Sequence, residues 1–422
     1  MPTDQSPTRC PQCGQQVPQD AQYVTWCDRC DWNVDPTGPT EQQSAWRRRL
    51  EHRLTDTLYA ELQRGAIQRP GWDAARIAAY LLSAVILLLP LAGLLGGIAL
   101  LVFYRPLWLS ALLSIIPLAL AVLLRPRVNT PDPDTHLVYR EQAPQLFALL
   151  DKIATAIGTK PVAAVAVDAE PNVFFARIGW RFVPVVGIGL PLWAGLRPQE
   201  RVAVLAHELG HGKNGDARHG WVVGWATAIL DELSETFSEQ PLDQYRQELV
   251  YATDSDTGPS LLTRVVNATV GGAVRGVRWV LTRIDLRSGQ RAEYLADRRS
   301  AEIAGSEAAA RALEQLVLAE TSYRALERAV RFGADVEPLQ AVTRAVSAVP
   351  AREIERRLRV SRLRDTRIDA SHPPTNLRVK LIRARPATSA QVVLGTDESR
   401  AIDRELSATA EAVLKELRSE LR

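Results

Sequence analysis

His207 and His211 stand four residues apart with Glu208 between them, in the run His207-Glu208-Leu209-Gly210-His211. On a helix, side chains at i and i+4 share one face, one turn apart. Both imidazoles can then converge on one Zn²⁺ at about 2.0–2.1 Å. Glu208 would sit beside the metal without ligating it, placed to take a proton from activated water and pass it to a leaving amine. The chain has only six His, so a coincidental pair on an amphipathic helix is the weaker reading. A hydrolytic zinc site also needs a third protein ligand and an open position. No His follows at the metzincin spacing. The better candidate is Glu293, in Arg291-Ala292-Glu293-Tyr294-Leu295-Ala296-Asp297. Glu293 and Asp297 are again i and i+4, so Glu293 could ligate while Asp297 accepts a hydrogen bond from a ligand imidazole. Spacing alone leaves open an ordinary exposed acidic pair on a helix.

A second constellation lies at the amino-terminal side. Cys10, Cys13, Cys27 and Cys30 are the only four cysteines and have the spacing C-x₂-C-x₁₃-C-x₂-C. Four thiolates at two tight turns suit a closed tetrahedral structural zinc site. Two symmetric pairs fit that better than a redox dithiol. Zinc would supply much of the folding free energy of so small a module. Trp26 and Trp32 are read as its core, with an exposed partner contact as the alternative, and the partner is unknown. His52, His136 and His219 have no companions at ligand spacing and are read as surface or packing residues.

These groups must be positioned by the elements around them. Pro198 to His211 reads as a helix with Val202, Leu205, Ala206 and Leu209 inward, Pro198 in its first turn, and Gly210, Gly212 and Gly215 marking its end. Before it, 138–157 reads as a helix, and Val162–Val167, Asn172–Ala176 and Phe182–Leu190 read as strands. Ile77 to Phe103 and Leu107 to Leu124 contain no charged residue and are separated only by Tyr104-Arg105-Pro106. Each is long enough to cross about 30 Å of hydrocarbon, and together they predict a transmembrane helical hairpin. The alternative is a buried hairpin of a soluble protein. Pro90 predicts a kink, and Gly93 and Gly97 have the small-xxx-small spacing of close helix approach. Arg69, Arg76, Arg125 and Arg127 flank the hairpin while its turn holds only Arg105. The positive-inside rule then puts both ends in the cytoplasm, where thiolates stay free for metal. The stretches 221–230 and 261–281 are apolar but short or interrupted by Arg, and their insertion is left open.

The expected organisation is a zinc ribbon (1–36), a linker with a basic amphipathic helix (37–76), the hairpin (77–124), a catalytic domain (130–385) and a helical tail (386–422). The basic helix carries Leu50, Leu54, Leu58 and Leu62 on one face and is read either as lying on an anionic membrane surface or as a solvated lead-in to the hairpin. Of 422 residues, 23% are charged and the net charge is +3, which gives no reason to expect a nucleic-acid partner. No apolar stretch occurs in the first thirty residues, so no signal peptide is expected there. Arg predominates over Lys and Met occurs once, which we take as the codon bias of a GC-rich bacterium.

From Asn172 to about Ile382 the chain resembles HtpX-like membrane metallopeptidases, of the gluzincin family that also contains the CAAX-prenyl endopeptidases. The resemblance rests on Ala203-Val204-Leu205-Ala206-His207-Glu208-Leu209-Gly210-His211 with Lys213-Asn214-Gly215-Asp216, on Glu293-Tyr294-Leu295-Ala296-Asp297, on Asn172-Val173-Phe174-Phe175, and on Ser371-His372-Pro373-Pro374 with Arg378. It implies Glu293 as third ligand and Asp297 as the carboxylate behind a ligand imidazole. It implies that Asn172 lies along the substrate and that His372 and Arg378 face substrate or the tetrahedral oxyanion. A turn-capping role for His372 is the alternative. The clear pair of later transmembrane helices common in the family is absent from the pattern, as is the multi-span barrel of the prenyl-protein enzymes.

The fold expected is α+β: a mainly helical, zincin-type (gluzincin) domain with a small sheet, an N-terminal zinc ribbon and the hairpin. The function expected is a zinc metalloendopeptidase at the bacterial cytoplasmic membrane, multi-pass, with ribbon and catalytic domain in the cytoplasm, using one catalytic and one structural Zn²⁺. Its partners would be protein or peptide substrates and the lipid bilayer, and its role would be membrane-protein quality control. The alternatives are a non-catalytic membrane adaptor that recruits a partner through the ribbon and a signalling protease that cleaves a regulator.

Overall fold

A computed structural model describes residues 8–38, 45–65, 74–125, 135–179, 181–213, 216–237, 261–333, 336–364 and 372–421. Ser371, Asn214 and Gly215 of the motifs above fall outside the described residues. The chain divides into two compact units, one formed by 1–69, 129–214 and 290–422, the other by 70–128 and 215–289.

The first unit opens with the cysteine module, in which β1 (Thr8–Arg9) and β2 (Gln16–Val17) form a two-residue antiparallel ladder. Helix α1 (Ala45–Arg64) follows. Its Leu58 and Leu62 are buried against Tyr294, Leu295 and Leu381, while Leu54 is exposed. Arg385 donates to the carbonyls of Leu62 (2.8 Å) and Gly65 (3.0 Å), satisfying groups that a helix end leaves unpaired. The apolar stripe seen in the sequence thus covers protein core at Leu58 and Leu62.

The second unit begins with α2 (Ala74–Phe103), which contains Pro90, and α3 (Leu107–Leu123), which contains Pro117. Among the described residues α2 is the one helix long and apolar enough to cross a membrane, and α3 is a shorter apolar helix. A Cβ added at Gly93 would lie 2.7 Å from the Pro117 carbonyl, and one at Gly97 would lie 2.6 Å from Leu118 Cγ. The two helices approach where only glycine leaves room. Leu81, Phe103, Leu107, Trp108 and Ile116 remain exposed on them.

Returning to the first unit, β3 (His136–Val138), α4 (Pro144–Ile157), β4 (Ala164–Asp168), β5 (Val173–Ile178) and β6 (Val183–Gly189) build a four-stranded sheet in the order β3-β4-β6-β5. Only β4 and β6 run parallel. The stretch 138–157, expected as one helix, is a strand end, a turn and a helix: Pro144 sets the first turn of α4. Gly187 pairs with Phe174, whose ring occupies the space a Cβ would need. Helix α5 (Leu190–Gly195) leads into α6 (Pro198–Lys213).

Helix α7 (Asp216–Thr236) belongs to the second unit, where Val223, Ala226, Ile229, Leu230 and Leu233 pack with Ala79, Ile86, Leu124 and Leu281. Helix α8 (Leu261–Ala304) is 44 residues long, and its part from Gln290 onward belongs to the first unit. Then come α9 (Ser306–Leu316), α10 (Ala319–Phe332), α11 (Pro338–Ser347), α12 (Ala351–Arg364), α13 (Thr375–Arg383), α14 (Thr396–Glu405) and α15 (Ser407–Glu420). The helical tail expected over 386–422 thus holds two helices, α14 and α15, which meet at Leu406. They pack into the first unit. Glu405 accepts the free amides of Gln145 (2.9 Å) and Leu146 (3.1 Å) at the start of α4, and Asp403 accepts Trp193 Nε1 at 3.0 Å. The main core joins α4, the sheet, α6, the end of α8 and this tail around Leu146, Phe147, Val186, Leu205 and Ile402.

Candidate active site

Helix α6 is held on three sides. Val202, Ala203, Leu205, Ala206 and Leu209 are fully buried. Glu200 accepts the Arg197 amide at 2.9 Å near the helix start. The helix ends at Lys213, just past Gly210 and Gly212 and two residues beyond the expected end at His211. Gly210 faces Ala296, and a Cβ on Gly212 would lie 3.3 Å from the Phe175 ring, so these residues give close packing against α8 and β5. Ser300 Oγ donates to the Ala203 carbonyl at 2.7 Å and pins α8 to α6.

With the two helices so fixed, the three donor groups meet. His207 Nε2 lies 3.2 Å from His211 Nε2 and 3.5 Å from Glu293 Oε2, and His211 Nε2 lies 3.4 Å from Glu293 Oε1. Ligands about 2.0–2.1 Å from a tetrahedral zinc are about 3.3–3.4 Å apart, so the spacing fits. Glu293 Oε2 is buried and makes no aligned hydrogen bond to protein, which suits a metal ligand. Glu208 is half-buried on the same helix, between the two histidines.

Behind His207, Asp297 Oδ1 lies 3.0 Å from Nδ1, which leaves Nε2 for the metal. Arg378 grips both oxygens of Asp297, Nε to Oδ2 at 2.8 Å and an Nη to Oδ1 at 2.7 Å. The guanidinium is buried, so its placement is that of a support for Asp297. His372 is half exposed, with Nδ1 2.7 Å from Glu293 Oε2. Asn172 is exposed at the entry to β5, where its main chain pairs with Glu170 and Gly189.

The electrostatics favour a cation. Burial would raise the Asp297 pKa, but the Arg378 charge and the bonds to Arg378 and His207 hold it down to about 2. Burial acts likewise on Glu293, yet His207, His372 and Arg378 bring it well below the usual carboxylate range. Burial would lower the His207 pKa, and the bonds to Asp297 and Glu293 instead lift it to about 10. Two carboxylates kept ionised around an imidazole stabilise a proton there, and the same field stabilises a divalent ion that replaces it.

The Peptidase family M48 model matches residues 140–386, more than half of the chain. The chain belongs to peptidase family M48. None of the curated proteins and none of the solved structures matches it. As a family M48 member it is a metallopeptidase, and its substrates are proteins or peptides. Family M48 peptidases use zinc, and His207, His211 and Glu293 are a group that could hold it. A mainly helical fold with small sheets surrounds them.

This M48 chain has a second possible metal group in Cys10, Cys13, Cys27 and Cys30, all of them free thiols. Cys10 Sγ lies 3.6 Å from Cys30 Sγ, and Cys13 Sγ lies 3.5 Å from Cys27 Sγ. Ligands about 2.3 Å from a tetrahedral zinc are about 3.8 Å apart, so this set also fits. Gly14 and Asp31, each following the second cysteine of a pair, have positive φ (72° and 57°), which turns the chain sharply around the thiolates.

Sequence reasoning missed the seat of this module. Trp26 is buried against the guanidiniums of Arg352 and Arg359 on α12. Arg359 also binds Asp31 at 2.6 Å, and Arg364 binds Asp35. The signal was present: Arg352, Arg356 and Arg359 lie along one face of a helix, and Asp28, Asp31 and Asp35 recur in the module.

Proposed function

We propose that this family M48 peptidase is an HtpX-like, membrane-anchored zinc metalloendopeptidase, with α2 and α3 as its transmembrane hairpin and its catalytic residues in the cytoplasm. The observation that carries the reading is the convergence of His207, His211 and Glu293 at tetrahedral ligand spacing beside Glu208. His207 Nε2, His211 Nε2 and one Glu293 oxygen would hold the ion. Zinc supplies a Lewis acid there that acidifies water and polarises the scissile carbonyl. Glu208 accepts the proton of the attacking water and delivers it to the leaving amine. Asp297, braced by Arg378, fixes the tautomer and orientation of His207. His372, half exposed beside Glu293, faces the substrate carbonyl. β5 is an edge strand of the sheet and packs against α6 through Phe175, which suits a substrate segment added as a further strand past Asn172. The four cysteines hold a structural zinc in a ribbon. A membrane anchor in the same chain as such a site suits damaged or unassembled membrane proteins as substrates.

The test compares wild type with Glu208→Gln on casein, both purified with metal. Glu208→Gln is expected to keep its zinc and to lose about 10²- to 10⁴-fold in kcat. Equal turnover by the two proteins would remove the peptidase reading.

A further inference from the structure

The cysteine module is docked through arginine side chains of α12. Arg352 and Arg359 both stack on the Trp26 ring, at 4.7 and 4.9 Å from its centroid, and Trp26 is 1% exposed. Arg352 donates to the Trp26 carbonyl, Arg356 to the Val34 carbonyl at 2.7 Å, and Arg359 to the Asp28 carbonyl at 2.6 Å. Carboxylates complete the contact: Asp31 takes Arg359, and Asp35 takes both arms of Arg364. Glu353, itself buried, orients Arg356 through two bonds of 2.7 and 2.8 Å. Trp26, Asp31 and Asp35, groups through which such a module could seize a foreign partner, are therefore engaged with its own chain.

Away from the module, α12 touches the segment that supports the candidate active site. Leu358 is in the main core. Ser361 Oγ accepts the Asn376 amide in the first turn of α13 at 3.2 Å, and both residues are buried. Two residues on, Arg378 grips Asp297, and Asp297 holds His207. Packed contacts thus run without a gap from the thiolates to a candidate zinc ligand.

We propose that the four-cysteine module is a metal-dependent clamp on α12 that positions α13 and Arg378, so that a metal at the thiolates sets the competence of the peptidase centre. The inference rests on the metallopeptidase reading above. The two-state element it needs is the module itself. Its buried core is little more than Cys10, Val17, Trp26 and Cys27, too small to stay folded without metal. Losing the metal unfolds the seat of Trp26, Asp31 and Asp35 and frees the arginine row. α13 then keeps its Ser361 contact only as well as an unclamped α12 presents it.

The experiment uses the full chain in detergent with zinc. Zinc per chain, hydrogen exchange of residues 375–383 and casein kinetics are measured for wild type, Cys27→Ser, the double variant Arg352→Ala/Arg359→Ala, Arg364→Asp, and Arg364→Asp combined with Asp35→Arg. The alanine double variant is expected to keep the zinc at His207, His211 and Glu293. Its exchange at 375–383 should rise, and its kcat should fall, by about 2- to 30-fold, the range of couplings carried through packed networks. Cys27→Ser should do the same after losing one zinc. Arg364→Asp should show part of the effect, and adding Asp35→Arg should reverse it, which separates a broken contact from a damaged fold. Unchanged exchange at 375–383 in both Cys27→Ser and the alanine double variant would overturn the clamp. If wild type fails to cleave casein, the peptidase reading falls while the exchange arm still decides the clamp.

Discussion

The two metal-competent clusters are built in opposite ways. At the cysteines, four ligands come from two tight turns in a short stretch of chain, and the surrounding core is tiny. At His207, His211 and Glu293, three ligands come from two long helices already fixed by a large core, by the Ser300 bond and by the Arg378–Asp297 brace. In the first case the ion would make the fold. In the second the fold brings the ligand groups together. The supporting arginines differ likewise. Arg378 is buried with its carboxylate, whereas Arg359 and Arg364 meet theirs near the surface.

The comparison can be broken most sharply by removing one ligand from each cluster. Glu293→Ala should lose one zinc and nearly all turnover while the core keeps its thermal transition. Cys27→Ser should lose the other zinc together with the exchange protection of 8–38. Metal analysis with hydrogen exchange reads both, and either variant losing both ions would erase the distinction. Next in size is Asp297→Asn, which keeps the shape but removes the charge behind His207. It should weaken zinc affinity about 10- to 100-fold by chelator competition, the usual range for such partners. Zinc binding at the cysteines should not move.

The smallest effect concerns pH and falls on the arginine row. Burial would raise the Glu353 pKa, but bonds from Arg356 and Arg357 carry it below its ordinary value of 4.5. A carboxylate lowered in the folded state adds stability above its unfolded pKa and loses it as pH falls through the folded value. The stability gap between wild type and Glu353→Gln, measured by urea unfolding, should therefore be full at neutral pH and shrink on acidification below about 4.5. A gap that widened in acid would mean that Glu353 does not anchor Arg356 as a carboxylate.

Much of the fold was readable. β4, β5 and β6 begin and end within about two residues of the apolar runs that announced them, within the usual uncertainty of such boundaries. β3 escaped because three residues carry no periodicity, and its pairing with β4 makes it a strand. Nothing local in the sequence marks the break of the helical tail at Leu406. Its break lets Asp403 reach Trp193 and Arg201 while Glu405 reaches α4. The end of α6 at Lys213 lies two residues past the one expected at His211, and the close approach of Gly210 to Ala296 and of Gly212 to Phe175 is what the glycine spacing alone did not reveal.

The sequence by itself determined whatever depends on one helix or one turn. His207 and His211 share a face because of helical pitch, Glu293 and Asp297 do so for the same reason, and paired cysteines need only their own knuckles. Tertiary structure alone decided that Glu293 reaches the two imidazoles, that Arg378 closes on Asp297 and that Trp26 packs against Arg352 and Arg359. Such meetings join stretches far apart in the chain, and their positions are set by how whole elements pack, which no local spacing encodes.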